Sequence, residues 1–481
     1  MFISSIIVLI SFVSVIILII TERLNRAVAA LSGAIVCYFV LIFLENYDFS
    51  IIVDLLFSSK DEEYVNLHAL ILIIGMMIVV QISHDAGLFQ FIAIKMIKLS
   101  KAKPIVLMLI MCFVTLIISA ILNNILTVII LIPLTITISR ILNINPSPYI
   151  LTQAILVNIG GTIFAISSIP NILITTYADI SFLEFFLTVG FISIIIFIFT
   201  LGFFILLYRD ELTISEDGLR VLKEYNVWNV VQNKRLLYQT MISLLTLFAL
   251  FLLVPSTLIP PGIIALTMAM ILIIISRLNP REIISKIDVE LIFYLLGIFI
   301  IAGALELTGL LDYVGDFVSL LGGSDTYLLF LSVLWLSALL SSSIDNIPIT
   351  KVLIPIVGEI PSIASNSVRK QLYFGLAIGA NWGDNLTPLG DNILVVNIAE
   401  QNKRPISINQ FLKLGIITTT YQLIIVTIIY TLIFRPEIGL IVILSAISLI
   451  LILVLIMKMG PKPLREKTIT ILKHIKIRII R

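Results

Sequence analysis

Four clusters of polar residues interrupt long apolar stretches of this sequence, and their side chains could bind ions or small polar solutes. Two clusters are pairs, Asn123-Asn124 and Asp345-Asn346. The other two are longer, from Asn158 to Asn171 and from Asn381 to Asn392, and both mix Asn and Thr with Gly and Pro. Amide and hydroxyl oxygens coordinate ions, Gly lets the backbone approach closely, and Pro stops a helix. This combination predicts a binding site at the positions where helices are interrupted.

The candidate site residues are the amides, hydroxyls, glycines and charged side chains of these clusters, together with one nearby lysine. They are Asn123, Asn124, Asn158, Gly160, Gly161, Thr162, Asn171, Asp345, Asn346, Lys351, Asn381, Gly383, Asp384, Asn385, Thr387, Gly390, Asp391 and Asn392.

Three of these candidates are acids, Asp345, Asp384 and Asp391, and one is a base, Lys351. An ionised carboxylate alone at the bilayer centre costs at least about 2.5 kcal/mol, so we expect each acid to be paired, protonated or metal-bound. Three acids facing one base favour H+, Na+ or a neutral solute over an anion. We predict a coupling ion, H+ or Na+, with Na+ bound at the three acids, and no cofactor. Ion pairing of Asp345 with Lys351, or capping of a half-helix by Asp384 or Asp391, is the structural alternative.

The composition places these clusters inside a membrane. The 481 residues are 59% hydrophobic and only 12% charged, and their mean hydropathy is +1.16. A soluble domain has about 25% charged residues, so a soluble enzyme, a secreted module and a nucleic-acid-binding protein are excluded. Cys37 and Cys112 lie in separate apolar runs, which gives no disulfide framework and no dithiol metal site. The sequence lacks the His-Glu-x-x-His and Gly-x-Ser-x-Gly motifs of metal and serine hydrolases, so we expect no enzyme.

The lengths of the apolar runs predict the fold class. A spanning helix needs about 20 apolar residues, and on that rule we predict an all-α polytopic membrane protein with about eleven transmembrane helices. The stretches 105–139 and 326–360 are too long for one crossing, and a polar pair lies at the middle of each. We predict that both are re-entrant hairpins whose tips face the protein interior, because free backbone at membrane depth is tolerated only there.

The sequence also contains an internal duplication. Five residues of its first half match, without a gap, residues 222 positions later: Gly75, Gly87, Asn123, Asn124 and Pro133 match Gly297, Gly309, Asp345, Asn346 and Pro355. The segments 150–178 and 372–398, predicted as broken helices, continue the match at offsets of 221 to 223. We therefore predict N-terminal helices in 1–67, repeat unit one in 68–208, a linker and scaffold helices in 209–290, repeat unit two in 291–434, and a last helix and basic tail in 435–481.

Charge indicates that the two units have inverted topology, because Lys and Arg stay on the cytoplasmic side. Segment 88–104 holds four lysines and no acid, whereas its counterpart 308–326 holds three aspartates and no base. From Lys458 onward the chain carries eight Lys and Arg residues and one acid, Glu466. We predict a multi-pass plasma-membrane protein with its N-terminus outside and its C-terminus in the cytoplasm.

The four clusters, in this order, resemble a known family. The tip motifs "LNN…LIP" and "IDNIP…LIP" and the break motifs "NIGGT…SSIPN" and "GDNLTPLGDN" are similar to those of the ion-transporter superfamily of arsenite permeases, NhaD-type antiporters, citrate-type carriers and the melanosomal P protein. The resemblance implies two inverted units, each with a hairpin and a broken helix, and an elevator-like movement against a scaffold. It places binding residues at the tips and breaks. Dicarboxylate carriers have Ser-Asn-Thr at both tips, whereas this sequence has Asn-Asn-Ile and Asp-Asn-Ile there. In the first break, Ser167 replaces the Gly that usually precedes the Pro-Asn pair.

We expect a secondary active transporter that moves a small inorganic ion, arsenite or a similar oxyanion, coupled to H+ or Na+. A Na+/H+ antiporter and a passive ion channel are the alternatives. The expected partners are this ion and the lipid bilayer, with no nucleic acid. A homodimer and a soluble ATPase partner remain open.

Overall fold

A computed structural model describes residues 2–21, 23–60, 63–100, 103–210, 212, 226–231, 233–360, 365–388 and 392–459, together with 466, 468, 470, 471, 473 and 474. Within these ranges all regular structure is helical, as the sequence predicts. The helices are α1 Phe2–Ile20, α2 Arg26–Phe43, α3 Ile51–Phe57, α4 Val65–Asp85, α5 Leu88–Lys98, α6 Pro104–Ser119, α7 Asn124–Leu142, α8 Ser147–Gly160, α9 Ile169–Tyr177, α10 Phe182–Tyr208 with a π-helical turn at Phe186–Gly190, α11 Lys234–Leu253, α12 Pro261–Ser276, α13 Pro280–Ile284, α14 Val289–Leu307, α15 Leu310–Gly322, α16 Thr326–Ser341, α17 Asn346–Glu359, α18 Asn366–Gly383, α19 Asn392–Gln401, α20 Ile408–Phe434 and α21 Pro436–Met459. Two short 3-10 turns lie at Val227–Val230 and Asp384–Leu386.

The chain is an all-α polytopic membrane protein. Eight of the described helices are long and apolar enough to cross a bilayer: α1, α2, α4, α7, α10, α11, α14 and α20. Helices α6, α12 and α16 are also apolar but have 16 residues each, and α21 is apolar over Pro436–Leu449. A spanning helix needs about 20 residues, so the count of eleven stays a prediction.

The predicted hairpins are helix–turn–helix units. The first joins α6 to α7 through residues 120–123, and the second joins α16 to α17 through residues 342–345. With 19 residues, α7 meets the length for a full crossing, whereas α17 has 14. The predicted broken helices are α8 with α9, and α18 with α19, as the glycines and prolines between them indicate.

The helix that precedes each predicted unit packs on the first helix of the other unit. Helix α2 packs on α14, and α12 packs on α4. A Cβ at Gly297 would lie 2.7 Å from the carbonyl carbon of Ala30, and a Cβ at Gly75 would lie 2.7 Å from the amide nitrogen of Leu266. Only glycine permits such close helix contact, so the matched glycines of the repeat hold matched helix pairs together. The order of helices α1–α10 thus parallels the order α11–α20. The duplication with units at 68–208 and 291–434 stays a prediction.

Helices α4 and α14, which open the two predicted units, run in opposite directions. The end of α4 lies near the start of α14, because Lys286 donates to Asp85 at 2.7 Å. The start of α4 lies near the end of α14, because Asn66 and Glu306 line one cavity. These two helices are therefore antiparallel, and the inverted topology of the two units stays a prediction.

Candidate functional site

Each hairpin tip supplies the residue that caps the helix after it. Asn123 caps α7, because its Oδ1 accepts from Leu126 N at 2.8 Å. Asp345 caps α17 in the same way, with Ile347 N at 3.4 Å. Both types of side chain suit this position, since their oxygens accept from N–H groups that the helix leaves without partners.

Each hairpin packs closely on the broken helix of its own unit. The Ser119 hydroxyl donates to Val157 O at 2.5 Å, and the equivalent Ser341 hydroxyl donates to Ala380 O at 2.6 Å. A Cβ at Gly383 would lie only 2.2 Å from Ala338 O. The glycines of the breaks are therefore required by the close approach of the hairpins.

In each break, the side-chain amide of an Asn donates to a backbone carbonyl of the same break. Asn171 Nδ2, just after the start of α9, donates to Gly161 O at 2.9 Å. Asn392 Nδ2, at the start of α19, donates to Asp384 O at 2.9 Å. Carbonyls freed by the broken helices are thus satisfied by side-chain amides, which low-dielectric surroundings require.

The two breaks are also joined to each other across the predicted units. Asn158 Nδ2 donates to Asn385 Oδ1 at 2.7 Å, and Trp382 Nε1 donates to Thr162 Oγ1 at 2.7 Å. Asn381 Nδ2 donates to Asn171 Oδ1 at 2.8 Å. All six side chains are buried. The sequence prediction that these residues meet agrees with this geometry, and the breaks form one hydrogen-bonded network.

Asp384 lies inside this network and is 3% exposed. Its Oδ2 accepts from Asn158 Nδ2 at 3.3 Å and from Asn392 Nδ2 at 3.2 Å. Amide donors of this kind offset part of the cost of burying a carboxylate. The Asn124 amide reaches the same network, because its Nδ2 donates to Asn158 Oδ1 at 2.6 Å.

A small cavity of about 20 Å³ lies between the two tips. Asn123 and Asn124 line it from the first tip, Asn346 from the second, and Ser168 from the first break. Helices α7, α9 and α17 all begin at its wall. A cavity of this size holds about one water molecule or one small ion. The N-terminal end of a helix carries a partial positive charge, so three of them favour a negatively charged group.

A larger cavity of about 730 Å³ adjoins the small one, and Asp345 lines it. Tyr294 of α14 donates its hydroxyl to Asp345 Oδ2 at 3.1 Å. Arg26, at the start of α2, lines both cavities, and its guanidinium lies 5.8 Å from the centre of the Tyr294 ring. Arg26 and Tyr294 escaped the sequence prediction. Arg26 lies at an ordinary span boundary, and Tyr294 lies in the apolar run between Glu290 and Glu306, so only their packing reveals them.

The structure differs from the sequence prediction at Lys351. Its Nζ donates to Asn66 Oδ1 at 2.7 Å and lies 5.2 Å from the centre of the Phe299 ring. It lines a separate cavity of about 250 Å³ with Glu306. Successive helix residues are rotated by about 100°, so six residues place Lys351 about 120° around α17 from Asp345. The base beside Asp345 is therefore Arg26.

The remaining candidates are placed as follows. Thr387 donates to Ser342 O at 2.5 Å, which ties the second break to the second tip. Gly390 and Asp391 lie outside the described residues. Across the part of the chain that the structure describes, no group of three His, Cys, Asp or Glu side chains could hold a metal ion. The Na+ site predicted at Asp345, Asp384 and Asp391 thus stays a prediction.

Comparison with known proteins identifies the family. A family model described as a citrate transporter matches residues 16–369 and 257–477. The chain belongs to the citrate transporter family. It is 29% identical over 428 residues to a 46 kDa membrane protein of Mycobacterium leprae, covering 87% of this chain and 96% of that protein. It is 28% identical over 415 residues to an uncharacterized transporter of Mycobacterium tuberculosis, covering 86% and 94%.

A eukaryotic relative extends the likeness. The chain is 26% identical over 481 aligned positions to the P protein of Sus scrofa, covering 83% of this chain and 56% of that protein. The resemblance to the ion-transporter superfamily is thereby confirmed. The chain is a multi-pass membrane transporter.

Proposed function

We propose that this transporter is a secondary active carrier of a small anion, a carboxylate or an inorganic oxyanion, across the plasma membrane. The observation that carries the proposal is the convergence of the α7, α9 and α17 N-termini on the cavity between the tips, with Arg26 at its edge. Fixed partial charges of this kind attract an anion without the cost of burying several cations. The family model, described as a citrate transporter, supports a carboxylate.

The coupling ion of the proposal is H+ or Na+, and Asp345 is the residue that senses it. Asp345 faces the larger cavity beside Arg26, so an ionised carboxylate there opposes an incoming anion. A proton or cation at Asp345 would remove that repulsion. The anion would then bind most favourably together with the driving ion, which is the thermodynamic requirement for coupled transport.

Alternating access would be elevator-like in this proposal. The hairpins and breaks form one hydrogen-bonded body, and the α2–α14 and α4–α12 pairs form the scaffold. Two hydrogen bonds join hairpin two to the scaffold, Tyr294 to Asp345 at 3.1 Å and Lys351 to Asn66 at 2.7 Å. They adjoin different cavities, one of about 730 Å³ and one of about 250 Å³. Movement of the body would open one cavity and close the other, with the N-terminus outside and the basic tail in the cytoplasm.

Purified protein in sealed proteoliposomes tests this function. Uptake of labelled citrate, and of arsenite in parallel, is measured with imposed pH and Na+ gradients of either direction. We expect saturable uptake that exceeds the equilibrium concentration only when a gradient is present. Uptake that stops at equal concentrations under every gradient would indicate a passive channel. The absence of any anion flux would overturn the proposal.

A Na+/H+ antiporter is the second candidate, and Asp345 is the observation that favours it. A carboxylate at the floor of a wide cavity can exchange H+ for Na+ without an anion. The same proteoliposomes decide between the two. An antiporter dissipates a pH gradient when Na+ alone is added, whereas the proposed carrier needs the anion as well.

A further inference from the structure

Arg26 differs in its position from every residue predicted for the site. It lines both the larger cavity and the small cavity between the tips. Among the described residues that line these two cavities, it is the only Lys or Arg. Arg26 and Ile125 line both cavities, so the guanidinium lies where the two cavities adjoin.

The present partners of Arg26 are carboxylates that water can reach. Its Nη2 lies 3.2 Å from Asp288 Oδ2, and its Nε lies 3.2 Å from Glu290 Oε1. The side chain of Arg26 is 24% exposed, whereas those of Asp288 and Glu290 are 41% and 43% exposed. Exposed ion pairs of this type contribute little free energy, so a dianionic ligand can compete with them. A guanidinium also offers a planar fork that matches a carboxylate or oxyanion.

This charge has no counterpart in the other half of the fold. Ala30 faces Gly297 as Ala265 faces Gly75, so α2 and α12 are equivalent at an offset of 235. Pro261 then stands where α2 has Arg26, and Leu72 stands where α14 has Tyr294. Among the described residues that line the two cavities, the cation therefore comes from the α2 side alone.

We propose that Arg26 binds the anionic group of the substrate at the entrance to the small cavity, and that Asp288 and Glu290 hold Arg26 until the substrate replaces them. This inference rests on the proposed function and adds the residue that selects for negative charge. Asp288 and Glu290 then compete with the substrate.

Three variants test the exchange of partners, with citrate as the probe in proteoliposomes. For Arg26→Gln we expect the KM for citrate to rise about tenfold or more, because a charge-assisted hydrogen bond is lost. For Arg26→Lys we expect a smaller rise. For the double variant Asp288→Asn, Glu290→Gln we expect KM to fall by up to about fivefold, because the competing ion pairs are gone. Asn at position 288 keeps the cap that Asp288 gives to Leu291 N.

Arg435 provides a matched control. It also pairs with a carboxylate, Asp325, and its guanidinium lies 5.0 Å from the centre of the Tyr327 ring, but it lines neither cavity. We expect Arg435→Gln to leave the KM unchanged. The citrate-induced rise in thermal midpoint in detergent gives a second readout that does not need transport.

The outcomes separate the two proposals. Saturable uptake by the wild type, with equal KM values in Arg26→Gln and wild type, would overturn the role of Arg26 and leave the carrier proposal intact. A rise in KM in both Arg26→Gln and the Asp288, Glu290 double variant would show that the ion pairs serve structure alone, and would also overturn it. A wild type that neither transports nor binds citrate or arsenite would overturn both proposals.

Discussion

The Thr162 hydroxyl joins the two broken helices, and replacing Thr162 by Val removes only that hydroxyl. Its Oγ1 accepts from Trp382 Nε1 at 2.7 Å and donates to Asn158 O at 2.6 Å. The Thr162 amide donates instead to Ile159 O at 3.1 Å, so the hydroxyl takes the place of the missing helical bond. Thr162 is completely buried. Valine has nearly the same shape, so the change isolates the hydrogen bonds.

The cost follows from the two groups that lose a partner. A buried donor or acceptor without a partner costs about 1–3 kcal/mol, so the Trp382 indole and the Asn158 carbonyl together predict about 2–6 kcal/mol. Thr419 offers a matched control. It is also completely buried, but no hydrogen-bond partner of its Oγ1 is found among the described residues. Thr419→Val removes this hydroxyl without removing a described hydrogen bond, so we expect its stability to equal that of the wild type or to exceed it by up to about 1–3 kcal/mol.

Thermal unfolding in detergent, followed by tryptophan fluorescence, measures the difference. The chain has three tryptophans, and Trp382 is one of the reporting side chains. We expect the midpoint of Thr162→Val to lie several degrees below those of the wild type and of Thr419→Val, with a changed emission of Trp382. Equal midpoints for the two variants would refute the conclusion that the breaks form one hydrogen-bonded body.

Three further predictions concern the cavities and the breaks. Asp345→Asn is expected to abolish the response of uptake to an imposed gradient while citrate still raises the thermal midpoint; a normal gradient response would exclude Asp345 as the coupling residue. Gly383→Ala is expected to destabilise the protein by about 1–3 kcal/mol, because the added Cβ would lie 2.2 Å from Ala338 O, whereas Gly202→Ala, with no atom within 4 Å, should be neutral; equal unfolding midpoints would contradict this. Lys351→Gln is expected to leave the KM for citrate near the wild-type value. A rise in KM as large as that of Arg26→Gln would show that the anion binds in the cavity that Lys351 lines, and would contradict this prediction.

The sequence allowed the tips and breaks to be predicted because polar residues are costly in apolar surroundings. Asn158, Asn381 and Asp384 stand out against long runs of Ile and Leu. Their matching spacing in the two halves then indicated that they meet. The cross-unit bonds agree with that reasoning, since Asn158 reaches Asn385 and Trp382 reaches Thr162.

The scaffold could not be derived in the same way. The residues that define it are Ala30 and Ala265 facing glycines, and alanines in an apolar helix carry no signal of their own. Their offset is 235, whereas that of the glycines is 222, so the linkers before the two units differ in length and hide the match. The parallel between α1–α2 and α11–α12 therefore appears only in the packing.

The position of Lys351 shows a limit of reading charge along the chain. Asp345 and Lys351 are close in sequence, but the helix turns them toward different cavities. Arg26 is far from Asp345 in sequence, yet it lines the same cavity. The alternative that pairs Asp345 with Lys351 rested on their short distance in sequence, whereas the base that lines the Asp345 cavity is Arg26.

The most direct test of the central claim is the position of a bound anion. A cryo-EM map of the protein in lipid nanodiscs with saturating citrate would show where the ligand lies. We predict citrate density in the cavity of about 730 Å³, with one carboxylate at the entrance to the small cavity between the tips and the Arg26 guanidinium turned toward it. Density in the Lys351 cavity, or a map unchanged beside Arg26 at a citrate concentration that saturates uptake, would contradict the account.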